Sequence, residues 1–184
     1  MRKLVLALTL LGSPALASGI EIEVAGEAKG VIKIDLLEDI APNHVAQITA
    51  LASEGKYDGV VFHRVIEGFM AQTGDVQFGN STADKFDMRM AGMGGSDLSD
   101  LDAEFSDVSF ERGIVGMARS QNPNSANSQF FIMFAPGTFL DGQYTVVGKV
   151  TEGLDVLDMI KRGEGRNGSV LGEPDRMVKV TVTD

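Results

Sequence analysis

The sequence predicts a mainly β domain in which a closed antiparallel sheet carries an α-helix at each end. Three observations lead to it. Apolar and polar residues alternate strictly in three separate stretches. Short β-rich runs punctuated by Gly, Asn and Asp occupy much of the remaining chain, and only two segments show helical spacing. No strand–helix–strand rhythm of the kind that builds a parallel sheet is present, and no internal repeat.

In chain order, the first segment is read as a leader outside the folded domain. Arg2 and Lys3 give a positive start, residues 4–11 are apolar, and Gly12, Ser13 and Pro14 break the run ahead of Ala15-Leu16-Ala17. That is the layout of an export signal with a small-x-small cleavage site. The apolar run is too short to span a bilayer, which takes about 20 residues. The expectation is cleavage after Ala17, a periplasmic or secreted location, and one domain over residues 18–184. That length suffices for a sizeable core.

Ile20, Ile22 and Val24 form the first alternating stretch, and Ile32, Ile34 and Leu36 the second, against Lys33 and Asp35. One row of each faces a core and the other faces water, as in half-buried antiparallel strands. Pro42 suits the first turn of a helix whose Val45, Ile48, Leu51 and Ala52 share a face, with Gly55 as its stop. Further strands are expected at residues 60–66, 113–118, 130–134 and 144–150. A second helix places Leu154, Leu157, Met159 and Ile160 at helical spacing, with Lys161 and Arg162 in its last turn and Gly163 beyond. Val178, Val180 and Val182 close the chain as a third alternating strand, their side chains expected on one face. Residues 78–102, rich in Gly, Asp, Ser and Met, read as one long irregular loop, a length often tied to function.

Composition narrows the function. With 43% hydrophobic and 23% charged residues the chain is ordinary for a globular protein, so disorder is not expected. The net charge of −10 becomes about −12 without Arg2 and Lys3, which argues against nucleic acid and against anionic membrane surfaces. The absence of cysteine rules out disulfides, thiolate catalysis and cysteine metal sites.

Several motifs fail on inspection. Residues 163–168, GEGRNG, match a dinucleotide-binding pattern by letter but follow a helix instead of joining a strand to one. No phosphate-binding loop of the G-x-x-x-x-G-K type and no G-x-S-x-G elbow exists. His44 is expected to be exposed or capping, and His63, inside an apolar run, to be a satisfied core histidine. The two are not spaced as metal ligands. Asp97, Asp100, Asp102, Glu104 and Asp107 lack the pattern of a calcium loop and read as a solvated acidic stretch.

Two stretches remain. Residues 62–75 read FHRVIEGFMAQTGD. Residues 113–119 read GIVGMAR, and continue through Asn127-Ser128-Gln129-Phe130-Phe131-Ile132-Met133 to Phe139-Leu140-Asp141-Gly142. Phe and Met suit a core, but an arginine and two glutamines among them need their polar groups satisfied. These stretches resemble, in the same order, the signature regions of the cyclophilin family: F-H-R-x-I-x-G-F-M-x-Q-x-G-D, then G-x-x-x-M-A, S-Q-F-F-I and L-D-G. The likeness runs from about Ile20 to the C-terminus.

The resemblance implies a closed eight-stranded antiparallel β-barrel capped by two α-helices, with peptidyl-prolyl cis–trans isomerase activity. It implies Arg64 as the catalytic arginine and Gln72 as the glutamine that orients it. Phe69, Met70, Phe131 and Leu140 match the lining of the family's proline pocket. Ala118, Arg119 and Gln129 match its peptide groove, with Arg119 acting mainly through its backbone, and Gly94-Gly95-Ser96 resembles a turn flanking a neighbouring pocket. Phe139 stands where many eukaryotic members carry tryptophan and Tyr144 where they carry histidine, so both remain substrate-contacting positions while strong cyclosporin binding is not expected. Glu67 replaces a frequent proline. The combination is similar to exported bacterial members.

The chemistry implied needs no cofactor or metal. A prolyl bond must lose amide resonance to rotate, against a barrier of ~18–20 kcal/mol, and uncatalysed exchange takes on the order of tens to hundreds of seconds. A turnover of ~10³ per second requires roughly 7 kcal/mol of relief. The twisted nitrogen recovers a lone pair that a guanidinium can hydrogen-bond more strongly than in the planar state, which is differential binding. The expected partners are proline-containing unfolded or folding polypeptides, met by a monomer with no nucleic-acid or membrane role. Two rivals are a groove that binds peptides as a chaperone module without turnover, and a hydrolase using His63 and a serine.

Overall fold

The computed structural model describes residues 19–184, so the leader read at residues 1–17 lies outside the described residues. Strands β1 (Gly19–Ala25) and β2 (Gly30–Leu36) precede helix α1 (Pro42–Ser53). Strands β3 (Arg64–Ile66), β4 (Met70–Thr73), β5 (Ile114–Met117), β6 (Phe130–Met133) and β7 (Val146–Glu152) follow, then helix α2 (Leu154–Met159) and strand β8 (Arg176–Thr183). All eight strands form one sheet in the order β3-β4-β6-β5-β7-β2-β1-β8, and every neighbouring pair is antiparallel.

The expected closure is met only in part. The edge strands β3 and β8 share no ladder. The curled sheet is instead bridged by the irregular backbone ahead of β3, where the Met177 amide donates to the Val60 carbonyl at 2.8 Å and the Phe62 amide to the Asp175 carbonyl at 2.9 Å. A single bridge joins Val61 to Arg176. Of the strand expected over residues 60–66, only the last three residues form a ladder.

Two apolar clusters share the sheet. In β1 and β2 the alternation holds, with Ile20, Ile22, Val24, Ile32, Ile34 and Leu36 buried in the main core beside α1. Strands β5 and β6 are buried on both faces. Phe130 and Ile132 point into the main core, while Phe131 and Met133 join Met70, Phe110, Ile114, Leu140 and Val146 in a second cluster on the other side. Period-two alternation therefore still operates there, but between two apolar faces.

Helix α1 follows its sequence signals, ending at Gly55 with φ of +68°. No side chain of its own N-cap residue caps it. Glu104 does so from the distant acidic stretch, accepting from the Asn43 and His44 amides at 3.2 and 3.1 Å and from the His44 Nδ1. His44, expected to be exposed or capping, is instead fully buried and held by the cap that Glu104 provides, and Glu104 is no solvated loop residue. Helix α2 is shorter than expected. Ile160 leaves helical dihedrals with ψ of 128°, so Lys161 and Arg162 lie past the helix, and the Lys161 amide donates instead to the buried Asp175 carboxylate at 2.6 Å.

Strand β8 departs from its expected face. Its pairing with β1 steps from Glu23–Lys179 to Val24–Met177, leaving Val178 as an extra bulged residue. An inserted residue reverses the alternation beyond it, so Met177 is fully buried and Val178 is 42% exposed. The sequence pattern placed no strand at β4: Met-Ala-Gln-Thr carries little β propensity, and its place is set by β3 and β6 on either side.

Candidate active site

The local fold around Arg64 begins with a tight hairpin. Residues 67–69 turn β3 into β4 with Gly68 at φ of +68°, and the register pairs Arg64 directly with Gln72. The Gln72 Oε1 accepts from the Arg64 Nη1 at 3.1 Å, and the Met70 sulfur lies 3.9 Å from the same nitrogen. The Asn167 carbonyl accepts from the Arg64 Nε at 2.9 Å. The Nη2 amino group has no hydrogen-bond partner among the described residues. Burial draws the Arg64 pKa down from its ordinary value, opposed by Tyr144, and the guanidinium stays charged at neutral pH.

A cavity of about 240 Å³ opens in front of that group, lined by Arg64, Phe69, Met70, Gln72, Ala118, Arg119, Phe131, Phe139, Leu140 and Tyr144. Its floor belongs to the second apolar cluster. Phe131 stacks on Phe110 with centroids 5.7 Å apart, and the Tyr144 ring stands edge-on to Phe131 at 5.9 Å. Phe139, 63% exposed, tilts over Phe69 at 5.5 Å and forms the outer wall. Leu140 closes a short 3-10 turn at Thr138–Leu140, held in place because Asp141 accepts from the Phe110 amide at 2.8 Å and from the Ser109 hydroxyl at 2.7 Å.

Gln129 does not line this cavity. It belongs to the adjacent one, of about 470 Å³, which includes Gly92, Gly94, Gly95, Ser96 and Asn127 and shares Gln72, Ala118 and Arg119 with the first. A chain of hydrogen bonds joins the two. Gln72 Nε2 donates to Gln129 Oε1 at 2.9 Å, and Gln129 Nε2 donates to the Gly94 and Gly92 carbonyls at 2.7 and 3.1 Å. The second wall is held by Asn127, whose Oδ1 accepts from the Ser96 amide at 2.7 Å. Of the eleven site residues expected from sequence, ten thus surround one cavity and Gln129 connects it to the next.

Arg119 adds something not foreseen. Its guanidinium carbon lies over the Tyr144 ring, 4.3 Å from the centroid, and its nitrogens donate to the carbonyls of Gln143 at 2.9 Å and Ser120 at 2.9 Å. The guanidinium therefore fixes the ring that borders the cavity, beyond any backbone role. The Asn167 carbonyl was missed as well, because it sits inside the glycine pattern set aside as a false nucleotide motif.

His63 is 5% exposed, and among the described residues neither ring nitrogen makes a well-formed hydrogen bond, so it is buried but not satisfied as expected. Burial, assisted by the Arg64 charge and opposed by Asp75, pushes its pKa down to about 4. Among the described residues no serine hydrogen-bonds to His63, and burial makes the imidazole a weak base, so the nucleophile–base pair of a hydrolase is not formed here.

The arrangement agrees with comparisons to known proteins. The family model for cyclophilin type peptidyl-prolyl cis-trans isomerase/CLD matches residues 20–182. A probable peptidyl-prolyl cis-trans isomerase of Brucella suis is 62% identical over 155 residues, covering 83% of this chain and 78% of the relative. The crystal structure of a cyclophilin from Hirschia baltica superposes with a TM-score of 0.70 at 29% identity, over 89% of this chain and 73% of that one. A cyclophilin type isomerase from Cryptosporidium parvum shares the fold with a TM-score of 0.73 at 24% identity, over 92% of this chain and 99% of that one. With the signature motifs, the eight-stranded sheet and the arginine-fronted apolar cavity all in agreement, the chain belongs to the cyclophilin family and is a peptidyl-prolyl cis–trans isomerase.

Proposed function

We propose that this isomerase accelerates rotation about Xaa–Pro bonds in exported proteins as they fold, and that Arg64 does so by donating a hydrogen bond to the imide nitrogen. One observation carries the mechanism: Arg64 is held at Nε and Nη1, while its Nη2 hydrogens are unengaged beside an apolar cavity. The pyrrolidine ring sits on Phe131, Met70 and Leu140 with water displaced. There a charged donor is worth more than in solvent and needs no reorganisation as the bond twists. The donor serves the pyramidal nitrogen of the twisted state better than the planar one, so it raises turnover. The enzyme acts as a monomer.

Export rests on the N-terminal sequence alone, with mature protein starting at Ser18. N-terminal sequencing of protein recovered from the cell envelope checks this, and an uncleaved chain starting at Met1 would overturn it. The mechanism is tested by two-dimensional NMR exchange spectroscopy on a short Xaa–Pro peptide. Exchange cross-peaks between cis and trans signals are expected with the purified protein. Catalytic efficiency should fall by roughly 10²–10³ in Arg64→Ala, by analogy with the loss of one preorganised donor, with little change in melting temperature. Full activity in Arg64→Ala would overturn the mechanism. Peptide line-broadening without exchange peaks would mark a binding module instead.

A further inference from the structure

Arg64 opens an edge strand of three residues, and its inner neighbour is Gln72. On its outer side no strand follows in the sheet. Residues 163–170 occupy that place: the Gly163 amide donates to the Val65 carbonyl at 2.8 Å, the Val170 amide donates to the His63 carbonyl at 3.0 Å, and Ser169 bridges to Arg64. The segment is anchored ahead of this contact by Arg162, which pairs with Glu67 and covers the Phe134 ring at 4.1 Å.

Within it, Asn167 has φ of 57° and ψ of 26°, the left-handed region, and is the positive-φ non-glycine residue among the described residues. Gly168 follows with φ of +78°, and a Cβ there would lie 2.3 Å from Ile66 Cγ1. Asn tolerates this backbone better than other side chains and Gly adopts it freely, so Asn-Gly suits such a turn. Two consecutive left-handed residues turn the Asn167 carbonyl toward Arg64, where it accepts from Nε at 2.9 Å. The Asn167 side chain itself is exposed and makes no hydrogen bond among the described residues. Its identity is accounted for by the backbone it permits.

We infer that the Asn167–Gly168 turn is the positioning element that aims Arg64, acting through the Asn167 carbonyl. The inference rests on the reading of Arg64 as the catalytic donor. A guanidinium is a rigid planar fork, so anchoring Nε and Nη1 to two fixed acceptors leaves Nη2 one direction. With Gln72 alone, the fork pivots about a single bond. Small misplacements of a reacting group cost rate steeply, on the order of 10² for a displacement of about 1 Å.

The test compares Asn167→Gly, which keeps the left-handed backbone, with Asn167→Val, whose branched Cβ disfavours it at an exposed position. Both are measured by peptide exchange spectroscopy alone and in the Arg64→Ala background. Asn167→Val is expected to lower kcat about ten-fold with KM within about two-fold. Asn167→Gly should rescue kcat, and Asn167→Val should cost nothing further once Arg64 is alanine. The Arg64 Nε–H resonance should be slow to exchange in the wild type and fast in Asn167→Val. Wild-type kcat in Asn167→Val beside a crippled Arg64→Ala overturns the inference, as does an equal loss in both backgrounds. Should Asn167→Val fail to fold, a fast-exchanging Nε–H in the wild type overturns it alone. Full activity in Arg64→Ala is a different failure, since it removes the premise.

Discussion

His63 shows what burial beside Arg64 does to a titratable group. Its pKa falls from an ordinary 6.5 to about 4 in the folded protein, so the unfolded chain binds a proton that the native state refuses. Stability is therefore intact above pH 6.5 and declines as pH drops toward 4, by on the order of 3 kcal/mol in all. Melting temperatures measured across that window should fall less in His63→Gln than in the wild type; equal slopes would refute the assignment. Phe131→Ala acts differently. It removes a buried ring from between Phe110 and Tyr144, so KM should rise and stability should drop by about 3–5 kcal/mol, read by peptide titration and urea unfolding. At this scale the sequence was most legible where the side chain itself lines the candidate cavity. Arg64, Gln72 and Phe131 stand in long ordered motifs. Asn167 did not stand out, because its contribution is a carbonyl that every residue carries. His44 did not because a residue 60 positions away buries it.

Helix α1 and strand β8 show how an element depends on groups beyond its own segment. Desolvation raises the Glu104 pKa, but its hydrogen bonds to His44 and Asn43 outweigh this and hold the carboxyl below its usual range. The cap thus weakens only as pH falls through that lowered value. Glu104→Ala should cost about 1–2 kcal/mol by loss of the cap, seen as a lower urea midpoint with an unchanged slope. In β8, the bulge makes two neighbours opposite in consequence. Met177→Ala should cost about 2–5 kcal/mol as a buried truncation, whereas Val178→Thr should stay within about 0.5 kcal/mol. Reversed sensitivities would show that the strand keeps the strict alternation of its sequence. Periodicity was enough for β1, β2 and α1, whose polar and apolar rows separate cleanly. It could not reveal the bulge, which the β1 register imposes, nor the early end of α2, where a tertiary bond to Asp175 replaces the next helical turn. It missed β4 because Met-Ala-Gln-Thr shows no alternation of its own, and Gln72 and Thr73 are placed by hydrogen bonds to Arg64 and to the Val61 carbonyl.

Across the whole molecule, one curled sheet serves two apolar clusters, and the candidate cavity lies on the smaller of them. The eight strands were anticipated through the family likeness; the incomplete ladder between β3 and β8 was not, since closure depends on irregular backbone that carries no pattern. The long loop beginning at residue 78 was legible as irregular, but its order was not. That order comes from Asp75, a fully buried carboxylate. Its Oδ1 accepts from the Gln77 and Phe78 amides at 3.0 and 2.9 Å, and its Oδ2 from Gly92 and Gly94 at 2.7 and 2.9 Å. The same two glycines present their carbonyls to Gln129, so one carboxylate positions the loop and, through it, the floor of the second cavity. Asp75→Asn is nearly isosteric, yet it turns one acceptor into a donor facing two amides. Each buried amide left unpaired costs about 1–3 kcal/mol. Opening should be local, because the β1, β2 and β8 ladders share none of these bonds. Hydrogen exchange is expected to quicken at Gly92 and Gly94 while Ile22 and Val180 keep wild-type protection. With the Arg64 anchors intact, kcat should hold and KM should rise. Uniform loss of protection across the sheet would show instead that the loop and the sheet unfold as one unit, and that Asp75 supports the fold as a whole.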